Sequence, residues 1–227
     1  MMEVSHYRID RKHCALYLVI GIKARGGHSA SDIVEQSIQG GVTMVQLREK
    51  EAPLRDVLAI GGAIRDVCRR RGVPFVVNDR VDVALLLEAD GVHVGQTDLP
   101  CGEVRRLAGP DLFVGVSAGT TQELEYALES GADYVGIGSV YPTGTKADAG
   151  DAIGVSLIRS ARAASNIPIV GIGGIDVDGV PPVIEAGADG VAVVSAIYGK
   201  PDPFDAATRL RFVVDQANRS RNLLRFT

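Results

Sequence analysis

Short apolar, β-branched runs alternate with stretches of helical periodicity from one end of the chain to the other. The apolar runs fall at 15–20 (ALYLVI), 43–48 (TMVQLR), 74–78 (PFVVN), 91–94 (GVHV), 112–116 (LFVGV), 134–138 (YVGIG), 168–172 (PIVGI) and 190–194 (GVAVV). Helical patterns fill the intervals, at 30–39, 53–70, 80–88, 102–108, 120–130, 154–164, 177–186 and 203–218. Strands this apolar, each followed by a helix, predict a parallel sheet buried on both faces. Eight such pairs in 227 residues suit a closed (β/α)8 TIM barrel better than an open doubly wound sheet. The expected class is therefore α/β, with a single domain over 1–227 and an active site at the C-terminal ends of the strands.

An internal echo supports that reading. Ala89-Asp90-Gly91-Val92, Ala132-Asp133-Tyr134-Val135 and Ala188-Asp189-Gly190-Val191 each close a helix and open a strand. Gly131 and Gly187, just before two of them, suit a left-handed helix end. The three aspartates sit at strand starts, the bottom of a barrel, where residues serve stability.

The opposite ends carry the chemistry. In Gln46-Leu47-Arg48-Glu49-Lys50, alternation along a strand aims Gln46, Arg48 and Lys50 one way, leaving Leu47 and Glu49 to structure. Arg offers phosphate a planar fork and Lys a point charge. Strand three ends in Asn78 and Asp79, strand four runs on to Asp98, strand five gives Ser117, and strand six opens into a long loop, 139–152, containing Thr143, Thr145 and Lys146. That loop reads as a lid.

Asp79 and Asp98 close adjacent strands and each precedes a helical run. They read either as two helix N-caps or as a pair of hard oxygen ligands for Mg2+. Arg48, Lys50 and Lys146 beside them favour the metal, because three cations and Mg2+ match a diphosphate. His93 lies inside an apolar strand and reads as a packed barrel histidine.

Gly173-Gly174 and Val194-Ser195, ahead of a short helical turn, form a second anion site of the kind this fold builds after strands seven and eight. Two anion sites with different chemistry suggest two phosphorylated small-molecule substrates, one losing pyrophosphate: a transferase.

Composition removes other classes. A net charge of −4 argues against nucleic-acid or membrane-surface partners. Cys14, Cys68 and Cys101 are odd in number and lack CxxC spacing, which fits a reducing, cytoplasmic setting. No stretch reaches the ~20 apolar residues of a membrane span. Oligomeric state is left open, with a homo-oligomer allowed. Arg25-Gly26-Gly27-His28 reads as linker.

In this order, QLREK, VVNDR, HVGQTD, VGVS, DYVGIGSVYPTGTK, PIVGIGGI and GVAVVSAI resemble the thiamine phosphate synthase family, from about Leu16 to Ile197. The resemblance implies condensation of 4-amino-2-methyl-5-pyrimidinylmethyl diphosphate with a thiazole (carboxylate) phosphate. The products are thiamine monophosphate and pyrophosphate, formed by a dissociative, Mg-assisted substitution. It also implies that Gln46, Arg48, Lys50, Asn78, Ser117 and Lys146 hold the pyrimidine diphosphate. Of these, Arg48, Lys50, Ser117 and Lys146 are the catalytic set. Asp79 and Asp98 would bind Mg2+, and Thr143, Thr145, Gly174, Val194 and Ser195 would hold the thiazole phosphate.

The chain departs from the family pattern at three places. Gly119 stands where many members have His, the first strand ends Leu18-Val19-Ile20-Gly21 without the usual Asp, and Ala147-Asp148-Ala149 follows the lid lysine. Related thiazole tautomerases use the missing His as acid and base. A tautomerase, or a phosphate-binding barrel without turnover, is the alternative.

Overall fold

The computed structural model describes residues 9–144 and 151–224. Eight parallel strands close into a barrel in sequence order: β1 (Leu16–Ile20), β2 (Met44–Leu47), β3 (Phe75–Asn78), β4 (Gly91–Val94), β5 (Phe113–Ala118), β6 (Tyr134–Ile137), β7 (Ile169–Ile172) and β8 (Gly190–Val193). Closure is by β1 against β8, with Tyr17 beside Ala192. The helices between them are α1 (Ala30–Gln39), α2 (Leu54–Arg71), α3 (Val81–Leu86), α4 (Cys101–Ala108), α5 (Thr121–Glu129), α6 (Ser156–Ala164), α7 (Val180–Glu185) and α8 (Pro203–Leu224). The expected (β/α)8 barrel is therefore the observed fold, with every strand where the apolar runs put it.

Strand alternation divides the core in two. Leu16, Leu18, Ile20, Val45, Leu47, Val77 and their counterparts face outward and pack beneath the helices. Tyr17, Val19, Met44, Val76, Phe113, Tyr134, Val170 and Ala192 face inward and fill the barrel. Burying one such aliphatic side chain is worth about 1.5–3 kcal/mol, so slipping any strand by one residue would forfeit several of these at once. Inside the barrel the aromatic rings fit because a neighbouring strand gives way. Tyr134 lies in register with Gly115, and a Cβ at that glycine would collide with the Tyr134 ring. Gly131 and Gly187 take positive φ, 80° and 117°, as their places after helices require.

The bottom rim repeats one device three times. Asp90 Oδ2 accepts from the Phe75 backbone N–H at 2.8 Å, Asp133 Oδ2 from Val114 at 2.7 Å, and Asp189 Oδ2 from Ile169 at 2.9 Å. In each case the N–H belongs to the start of the preceding strand, so the aspartate stitches neighbouring strands together. Arg105 pairs with Asp133, and Arg162 with Asp189 at 2.7 Å.

Arg25–His28 is a tight turn rather than a linker. Arg25 and His28 bridge to each other, Arg25 lies over the Tyr198 ring, and His28 bonds to the Pro201 carbonyl.

Candidate active site at the barrel mouth

Strand β2 ends at Leu47, so Gln46 lies within it and Lys50 well beyond it. Gln46 is buried inside the barrel, where its Nε2 donates to the Tyr17 hydroxyl at 2.6 Å. Arg48 keeps the strand register through its N–H to Ile20 O at 2.8 Å and is half-buried. Lys50 lies beyond the strand, and its Nζ stands 3.1 Å from Asp79 Oδ2. Glu49 is tied to the local backbone: it accepts from the Glu51 and Ala52 N–H groups. Burial opposes its ionisation, but these donors and that of Ile22 hold it below the usual carboxylate range.

Asp79 and Asp98 do not act as helix N-caps. The residues preceding α3 and α4 are Arg80 and Pro100, and neither helix start receives a side-chain cap. Asp79 instead adopts a left-handed backbone, φ 61°, a conformation Asp tolerates better than most residues. This brings its carboxyl within hydrogen-bonding reach of Asp98, whose Oδ2 accepts from Gly95 N–H at 2.8 Å. Burial and the neighbouring Asp98 push the Asp79 carboxyl up, and Lys50 draws it partly back. Asp79 and Asp98 thus stand side by side, with Lys50 paired to Asp79. Two hard oxygen ligands with an open approach fit Mg2+, which completes its shell with water and phosphate. No group of three or more His, Cys, Asp or Glu side chains arranged for a metal occurs among the described residues.

Beneath this rim the barrel floor is polar. Tyr17 and Tyr134 join hydroxyls at 2.9 Å, Tyr134 bonds to His93 Nδ1 at 2.8 Å, and His93 Nε2 bonds to Ser117 Oγ at 2.9 Å. His93 is thus a barrel histidine, as its apolar strand suggests, but it touches a candidate site residue. The tyrosines escaped sequence reading because an inward aromatic on a strand looks like core. The signal that could have found them is Gly115 in the adjacent strand, an empty place beside a large ring. Asn78 is paired in register with His93 and is half-buried at the mouth. Gln96 Nε2 donates to Ser117 O at 2.6 Å. At Gly119 the backbone N–H goes to Glu123 Oε2 at 2.6 Å.

On the far side, Gly173 and Gly174 have positive φ, 99° and 65°, and a Cβ on Gly174 would meet the Pro142 carbonyl at 2.5 Å. Val194 opens a single hydrogen-bonded turn through its carbonyl to Ile197 and Tyr198 N–H. The expected short helical turn is present at residues 195–199, and the next helix, α8, begins only at Pro203. Any anion held there would rely on backbone N–H groups of the two loops. Ser195 is exposed and Thr143 half-buried at the start of the long loop. Ile153 N–H bonds to Ser139 O at 2.8 Å and Gly154 N–H to Val140 O at 3.1 Å, so this loop leaves and returns at one place. Thr145 and Lys146 lie outside the described residues.

Fold and mouth together define a class: a (β/α)8-barrel enzyme whose site combines paired carboxylates with cations at the strand ends. Comparison with known proteins narrows it. The family model described as thiamine monophosphate synthase matches residues 16–197, and the chain belongs to that family. A thiamine-phosphate synthase from Moorella thermoacetica is 52% identical over 202 residues, covering 89% of this chain and 96% of the relative. One from a Roseiflexus species is 46% identical over 194 residues, covering 86% and 82% respectively. Among solved structures, a thiamine phosphate pyrophosphorylase from Pyrococcus furiosus superposes with a TM-score of 0.82 at 37% identity, covering 91% of this chain and 98% of that one.

Proposed function

We propose that the chain is a transferase that joins an aminopyrimidine-methyl diphosphate to a thiazole phosphate, releasing pyrophosphate and forming thiamine monophosphate. The observation that carries this reading is the Lys50–Asp79–Asp98 cluster standing over the Ser117–His93 floor within a chain of this family.

Arg48, Lys50 and Lys146 bind the diphosphate and stabilise the charge that develops on the leaving pyrophosphate. Gln46 and Asn78 seat the pyrimidine end, and Ser117 faces the diphosphate. Asp79 and Asp98 would hold Mg2+, which when bound neutralises phosphate oxygens. The thiazole phosphate rests on Thr143, Thr145, Gly174, Val194 and Ser195, largely through backbone N–H groups. The C–O bond to pyrophosphate breaks first, helped by electron release from the aminopyrimidine ring into its exocyclic carbon. The thiazole nitrogen then supplies the new bond. Loop 139–152 acts as a lid that excludes water, which would otherwise capture the electron-poor carbon. Gly119 in place of an imidazole disfavours a thiazole tautomerase.

The test incubates the protein with both substrates, with and without Mg2+, and assays pyrophosphate and thiamine monophosphate. Stoichiometric appearance of both, dependent on Mg2+, is expected. No product under any metal condition overturns the reading and leaves a barrel that binds phosphates without turnover.

A further inference from the structure

Five side chains from five strands form one unbroken hydrogen-bonded line across the barrel floor: Gln46, Tyr17, Tyr134, His93 and Ser117. The line has a direction. The Gln46 Nε2 facing Tyr17 can only donate, so the Tyr17 oxygen accepts there and its own hydrogen goes to Tyr134. Tyr134 has spent an acceptor lone pair on Tyr17 and sends its single hydrogen to His93 Nδ1. Burial keeps both phenols protonated, so each contributes one hydrogen and no more. A neutral imidazole that accepts at Nδ1 carries its proton at Nε2, and that proton faces Ser117 Oγ.

We infer that this one-way line holds His93 as the neutral Nε2–H tautomer and turns the Ser117 hydroxyl into a donor aimed at the barrel mouth. Tyr17, Tyr134 and His93 are then positioning residues, acting on substrate only through Ser117. This rests on the reading of Ser117 as a diphosphate-side contact. An anion needs hydrogen-bond donors, and a serine spent donating to histidine would present its lone pairs instead. Running the line backwards requires all four links to reverse together, including a turn of the Gln46 amide.

The experiment has a substrate-free arm and a kinetic arm. In the wild type, 15N-labelled histidine spectra at pH 7 should show His93 with Nδ1 unprotonated and Nε2 protonated. Tyr134→Phe keeps the ring that packs on Tyr17, Phe113 and His93. It should move proton density onto Nδ1 and lower kcat by roughly 10-fold, the low end of what losing an outer partner does, with KM changed far less. His93→Gln, which keeps a donor near the Nε2 position, should retain more kcat than His93→Asn. A wild-type His93 protonated at Nδ1 overturns the inference whether or not the enzyme turns over. So does a folded Tyr134→Phe protein with unchanged tautomer and unchanged kcat. Absence of thiamine monophosphate synthesis, by contrast, defeats only the functional reading, because the tautomer is read without substrate.

Discussion

The two rims of the barrel use the same residue for opposite ends. At the bottom, Asp90, Asp133 and Asp189 each grip an N–H at the first or second residue of a strand, and two of them also meet an arginine. At the top, Asp79 and Asp98 neighbour each other and Lys50 pairs with Asp79. The bottom carboxylates have partners of opposite polarity and stabilise the fold. In the top pair Asp98 and burial both push the Asp79 carboxyl up, an arrangement that opposes its ionisation. An aspartate's role follows from what surrounds its second oxygen, not from its place in a motif.

Asp98→Ala should break the contrast most sharply, reducing turnover by at least ~10²-fold, the scale of losing one electrostatic stabiliser, in a steady-state assay at saturating Mg2+. Near-wild-type turnover would remove Asp98 from any metal role. At the bottom, Asp189→Ala should lower unfolding free energy by about 3 kcal/mol, measured by denaturant melts. It takes a partner from half-buried Arg162 and from Ile169 N–H together, and activity per folded molecule should be unchanged. Asp79→Asn should move stability the other way, raising it by about 1 kcal/mol in the absence of divalent cations while turnover falls. Asn keeps the left-handed backbone and ends the repulsion; a melting temperature that drops would contradict the like-charge account.

The smallest effect belongs to Asp90. Burial pushes its carboxyl above the ordinary 3.8, opposed by the Phe75 N–H. The folded state therefore binds this proton more tightly than the unfolded chain. Stability from this group is greatest below pH 3.8 and declines as pH rises through the elevated folded value. Asp90→Asn should remove that dependence and change stability at pH 7 by less than about 1 kcal/mol, visible as a flatter stability–pH curve between pH 4 and 7.

How much of this was legible in the sequence follows from how local each signal is. The strands were readable because an inward and an outward apolar set, alternating over four to six residues, leaves little choice of register. The three bottom aspartates were readable as structural from their repeated helix–strand setting. The end of α8 was not. It runs to Leu224, past the expected 218, and Arg221 reaches the carbonyls of Ile184 and Ala188 across the fold. No pattern within one helix records such a tether. The roles of Asp79 and Asp98 stayed divided between cap and pair because the choice depends on a left-handed residue whose φ no neighbouring glycine announces. The Tyr17–Tyr134–His93 line was invisible because each member, taken in its own strand, is good core.

That line also decides who owns the site. Tyr17, Gln46 and His93 come from the first four βα units, and Ser117 and Tyr134 from the last four. Neither half of the barrel, expressed as a fragment, contains a complete hydrogen-bond path, although each contains several candidate substrate ligands. Reassembling the halves would therefore restore the floor only when their strand registers agree, since a one-residue slip at the β5–β4 seam separates His93 from Ser117. Function in this barrel is a property of its closure, and a split version would report correct closure through its own chemistry.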